Sequence, residues 1–94
     1  MNYYAISFTI SFIGDRDSDE YSEVRRSFLN AIKALGDTYE ETTSFVLLKT
    51  DSSMTSVIEA VSGSLFDSNM DSFIAMPVVR SSILVLGKNP PPTI

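Results

Sequence analysis

The chain has 94 residues, enough for one domain on one hydrophobic core, and 44% of them are apolar. Seven Lys and Arg stand against twelve Asp and Glu, a net charge of −5 and a pI near 4.4, which repels phosphate backbones and disfavours non-specific nucleic-acid binding. With no Cys and no His, the chain has no disulfide, no thiolate nucleophile, no Ser-His or Cys-His pair and none of the usual transition-metal ligands. Catalysis would fall to carboxylates, Lys, Tyr or a metal held by oxygen.

The N-terminal stretch alternates apolar Tyr4, Ile6, Phe8, Ile10 and Phe12 with Ala5, Ser7, Thr9 and Ser11, the period of a strand with one buried face. It has neither the basic start and apolar block of a signal peptide nor the length of a membrane span, so a cytoplasmic protein is expected. The opposite face of this strand, Tyr3, Ala5, Ser7 and Thr9, is small or weakly polar apart from Tyr3 and could lie against another surface. IGDRDSDE then reads as a loop in which Asp17 with Glu20, or Asp19 alone, caps a helix. In that helix Tyr21, Val24, Phe28, Ile32 and Leu35 form one stripe, and Gly36 is placed to end it. The neighbours Arg25 and Arg26 read as a solvated face.

Two β-type pieces follow, TYEE and SFVLLKT, joined by so short a link that they predict an antiparallel hairpin. Asp51 is expected to cap a second helix with Met54, Val57, Ile58, Val61 and Leu65 on its buried stripe, held by packing because its many Ser and Gly63 are poor helix formers. After the loop DSNMDS, SFIAMPVV reads as a strand that Pro77 confines to a sheet edge or a bulge. ILVLG is a further strand, and KNPPPTI an extended tail. The pattern predicts an α+β, ferredoxin-like split βαβ fold, order βαββαβ with an additional C-terminal strand, both helices on one face of an antiparallel sheet. One domain spans residues 1–88 and a proline-rich tail residues 89–94.

The strand YAISF, the helix ending in KALG, the hairpin and the Asp-Ser-capped second helix together resemble the small ferredoxin-like proteins of the SinR-like and VapD-like type, relatives of the CRISPR-associated Cas-two protein. The resemblance runs over residues 3–86. It implies a homodimer with open sheet faces packed together and the last strand, with Ile83 and Val85, added to the partner's sheet. In nuclease-active members the first strand ends in Tyr-Asp or Phe-Asp, and the carboxylate from each chain holds a divalent metal. Here Phe8-Thr9 stands at that place, and a neutral hydroxyl does not supply the charge a hard cation needs.

Asp15, Asp17 and Asp19 have the alternate spacing of the start of a calcium loop, but the sixth position is Glu20 instead of Gly and the twelfth is Arg26 instead of Glu. They read as a capping, solvated acidic loop, with no cofactor expected. Asp37, Glu40 and Glu41 near the hairpin read as exposed carboxylates. The fold order is shared with RNA-recognition domains, yet SFVLLKT carries none of their aromatic signature. The expectation is a non-enzymatic protein–protein interaction or regulatory module, a homodimer with a protein partner. The alternatives are a small acidic inhibitor of the phage anti-defence type, using surfaces such as Glu40 and Glu41 against a nucleic-acid-binding protein, and a metal-dependent nuclease in which the Asp15 loop replaces the lost carboxylate.

Overall fold

The computed structural model describes residues 1–11, 17–39 and 44–82. Four strands and two helices follow one another as β1 (Asn2–Thr9), α1 (Ser18–Lys33), β2 (Gly36–Tyr39), β3 (Phe45–Thr50), α2 (Met54–Ser62) and β4 (Ser72–Val78), with one 3₁₀ turn at Arg80–Ser82. The sheet order is β2-β3-β1-β4 and every pairing is antiparallel. This is the ferredoxin-like split βαβ arrangement that the pattern predicts. The predicted strand at 83–87, the tail, Phe12, Asp15, Glu40 and Glu41 lie outside the described residues.

Alternation in β1 sorts its side chains between two environments. Tyr4, Ile6 and Phe8 point to the helices, where Leu48 and Val46 of β3 lie beside Tyr4 and Ile6 in register. Val24, Phe28 and Ile32 of α1 and Val57 and Val61 of α2 close this core from above. Phe28 is fully buried, its ring centroid 4.7 Å from that of Phe8, 5.7 Å from Phe66 and 6.0 Å from Phe73, so one aromatic cluster joins α1 to both β1 and β4. Leu29, outside the predicted stripe, is buried as well, because α1 packs against β2 on its flank as well as against the sheet beneath.

The helix ends depart from expectation in two places. Asp17 does cap α1, its carboxylate accepting from the Glu20 N–H at 2.8 Å. At the other end, however, the helix stops at Lys33 with Ala34 as its cap in ordinary right-handed geometry, and Gly36 opens β2 instead of ending the helix. The glycine is needed for a different reason. A Cβ there would run into the Lys49 carbonyl oxygen and come within 3.1 Å of the Thr50 Cα, so β2 can approach β3 this closely only without a side chain. Thr50, buried beside this contact, donates its hydroxyl to the Leu35 carbonyl at 2.6 Å and accepts from the Ser52 N–H at 3.0 Å, which ties the end of β3 to the turn after α1.

α2 is capped by Ser53, whose hydroxyl accepts from the Ser56 N–H at 3.3 Å, and not by Asp51. Asp51 is exposed, with the N-terminal amine 4.0 Å away. The helix ends at Ser62, two turns and a half after it begins, so Leu65 lies beyond it. Of the predicted stripe, Val57 and Val61 are buried and Met54 packs partly against the core, whereas Ile58 and Leu65 are exposed. Pro77 sits in β4, which among the described residues is an edge strand of the sheet, where its missing N–H costs least. No helix among the described residues is long and apolar enough to cross a membrane.

The close approach at Gly36 gives a direct test. Gly36→Ala should destabilise the fold by about 1–3 kcal/mol, the usual cost of forcing a packed region apart, read as a lower midpoint in denaturant unfolding. Asp37→Ala, one residue on at an exposed position, should change stability by no more than about 0.5 kcal/mol.

Candidate functional site

Both helices cover one face of the sheet, and the other carries the alternate residues of each strand. Tyr3, Ala5, Ser7 and Thr9 of β1 all lie on this open face, as their pattern predicts. Register places Ala5 beside Met76, Ser7 beside Ile74 and Thr9 beside Ser72 of β4. On the opposite flank Ser7 lies beside Phe45 and Ala5 beside Leu47 of β3.

These positions are not equally available. Ser7 and Thr9 are exposed and Ala5 is half-buried, but Tyr3, counted among the interaction residues, is buried with only 8% of its surface accessible. It stands in a row with Lys49 and Val78, the Lys49 ammonium 6.0 Å over its ring, and forms a wall of a cleft of about 420 Å³ whose other walls include Met1, Val79 and Arg80. Tyr3 thus packs the open face from within and offers little to a partner.

Exposed apolar surface lies instead on β4. Ile74 is 64% exposed and Met76 52%, two positions apart on the open face, and Val79 just past the strand is 67% exposed. Their neighbours on β1, Ser7 and Ala5, are too short to cover them. SFIAMPV was legible as a strand, but its outward residues could be identified only once the register on β1 was known. Ile58 of α2 adds to the exposed apolar set from the helix layer at 49%.

The polar candidates divide. Asp17 is occupied as the cap of α1, and Asp19, Glu20 and Glu23 are exposed on its first turns. Asp37 and Asp51 lie at the opposite end of the sheet, near the start of β1. Among the described residues no three acidic side chains gather as metal ligands would. Arg26 is exposed as expected, whereas Arg25 is half-buried with its guanidinium 5.9 Å over the Phe8 ring. With Ser22, Leu29, Asn30 and Lys33 the two arginines line a shallow cleft of about 270 Å³ on the β2 side of α1.

One carboxylate where β1 ends escaped the sequence reading. Asp71, 5% exposed, accepts from the Ser11 N–H at 2.9 Å with one oxygen and from the Asp67 N–H at 3.0 Å with the other. Its own N–H donates to the Asp67 carbonyl at 2.7 Å. The side chain therefore holds the end of β1 to the turn that begins β4, a structural role for a buried charge satisfied by backbone donors. The turn composition DSNMDS offered no sign of which of its aspartates would be buried.

Asp71→Asn should cost about 1–3 kcal/mol of stability, because an amide offers one oxygen acceptor and sets its NH2 against the second backbone donor. Thermal unfolding followed by circular dichroism measures it, with exposed Asp19→Asn as the control expected to stay near wild type.

Comparisons with protein-family models, with curated proteins and with solved structures find no match to this chain.

Proposed function

We propose that the protein is a non-enzymatic protein–protein interaction module that works as a homodimer. The observation that carries this reading is the pair Ile74 and Met76, exposed side by side on the face of the sheet that the helices leave open. Isolated apolar side chains on a surface need no explanation; a pair on a flat strand with a third, Val79, beside its end is the kind of surface that association removes from water. The residue types agree. A chain without Cys and His lacks the commonest nucleophile and base. Thr9, at the place where the nuclease-active relatives of the resembled family carry a metal-binding Asp, is a neutral hydroxyl.

A homodimer is also the assembly that the resemblance to the Cas-two-like proteins implies. Of the acidic side chains that an inhibitor surface would use, Asp17, Asp19, Glu20 and Glu23 stand together at the start of α1, while Asp15, Glu40 and Glu41 lie outside the described residues.

Light scattering on the full chain should give a mass near twice 10.4 kDa at sufficient concentration, independent of divalent cations. Ile74→Asp combined with Met76→Asp should weaken self-association by at least about 100-fold, about 2.8 kcal/mol, since each variant side chain would place an uncompensated carboxylate in an apolar contact. A wild-type mass of 10.4 kDa at every concentration would remove the reading.

A second measurement addresses chemistry. With magnesium or manganese, RNA and DNA should yield no product beyond that given by the Asp15→Ala variant. A metal-dependent product lost in that variant would replace the interaction module with a nuclease.

A further inference from the structure

The homodimer reading leaves open which surface the two copies share, and the geometry around β4 narrows it. β4 is an edge strand, and among the described residues its ladder is shared with β1 alone. Its seven residues, Ser72–Val78, carry no charge. Edge strands of monomeric proteins are commonly protected by lysines, inward charges or short length. The other edge, β2, follows that practice, with four residues that include Asp37. β4 has only Pro77, which supplies no N–H and limits any new ladder to Ser72–Met76.

The helix layer contributes at the same edge. The right-handed crossover from β1 to β2 places α1 over β3, and the crossover from β3 to β4 places α2 over β1, on the β4 side of α1. Within α2, Ser56 and Ala60 are half-buried on the flank towards α1, while Thr55, Ile58 and Ser62 on the other flank are exposed. Ile58 therefore faces outward above the β4 edge, and Ile74 and Met76 lie below it on the open face. Apolar surface from both layers of the fold meets at one uncharged edge.

We propose, building on the homodimer reading, that two copies join by pairing β4 with β4 antiparallel about a two-fold axis, forming one continuous eight-stranded sheet. Charge argues for a second copy as the occupant. A chain of net charge −5 repels itself over most of its surface, and the β4 edge is a stretch where it does not. The contact is isologous, as two-fold symmetry requires. With the axis at Ile74, this residue meets its symmetry mate on one face of the joined sheet, Met76 lies beside that contact opposite the partner's Ser72, and Ile58 meets its mate on the other face, so the new ladder is covered from both sides. A single edge-to-edge contact of this length lies at the small end of specific interfaces.

The test uses the full chain in three forms, wild type, Ile58→Glu and Ser7→Arg, followed by sedimentation equilibrium across a micromolar concentration series. Edge pairing requires that Ile58→Glu lose the dimer with unchanged circular dichroism, because a carboxylate would stand at the axis on the helix side. Ser7→Arg, on the open face one strand in from the edge and outside the proposed ladder, should keep it. The reverse pattern overturns edge pairing in favour of sheets packed face to face, and leaves the homodimer reading standing. A wild type that stays monomeric overturns both. Amide hydrogen exchange supplies a readout that no substitution affects. Backbone amides within Ser72–Met76 should exchange at least tenfold more slowly in the dimer than in dilute monomer. Equal protection in the monomer would mean that the chain's own residues 83–87 occupy the edge, and would overturn the proposal.

Discussion

The fold depends on the contact between Phe28 and the sheet. Among the described residues this ring is the largest side chain with no exposed surface, and it touches aromatic partners from β1, from β4 and from the segment after α2. A domain of this size has one core and little redundancy. A residue that joins one helix to a central and an edge strand therefore sets the height of α1 above the sheet, and with it the positions of Arg25 and Leu29 on the helix flank. The edge contact between Phe66 and Phe73, with ring centroids 5.5 Å apart, extends the same cluster to β4. The strand with the exposed face is thus rigidly held from its buried side.

Around that cluster, backbone accounting explains the remaining fixed points. Gly36 lets β2 reach β3, Thr50 satisfies the Leu35 carbonyl at the same corner, and Asp71 satisfies two N–H groups at the other end of the sheet. Each is a polar or steric solution at a place where the chain reverses, and each uses a short side chain or none. A buried carboxylate is stable there because two backbone donors replace its lost water.

A two-layer fold of this kind has an inherent asymmetry: helices cover one sheet face and nothing in the βαββαβ order covers the other. The protein fills much of the open face with its own side chains, as burial of Tyr3 and Leu47 shows, and leaves Ile74 and Met76 of β4 exposed there. That distribution leaves apolar side chains exposed along β4, whereas the β2 strand is short and carries a charge.

Sequence alone determined the four described strands, the two helices, their order and the inward residues of β1, because periods of 2 and 3.6 are local properties of the chain. The Asp17 cap and the place of Pro77 at the edge of the described sheet were legible for the same reason: each follows from the chemistry of one residue and its near neighbours. Only the tertiary structure decided the rest. Periodicity assigned Ile58 to a buried stripe, but the stripe of a short helix at the edge of a layer is wider than the surface beneath it, so its outer member is left in solvent. Alternation marked Tyr3 as outward without showing that Lys49 and Val78 would stand beside it. Gly36 looked like a helix terminator because its real constraint, the Lys49 carbonyl, lies thirteen residues away in the chain. Asp71 was one acidic residue of a polar turn until Ser11, sixty residues distant, was brought to it. Contacts between distant residues depend on register and on which layer covers which, and neither is encoded in any local window of the sequence.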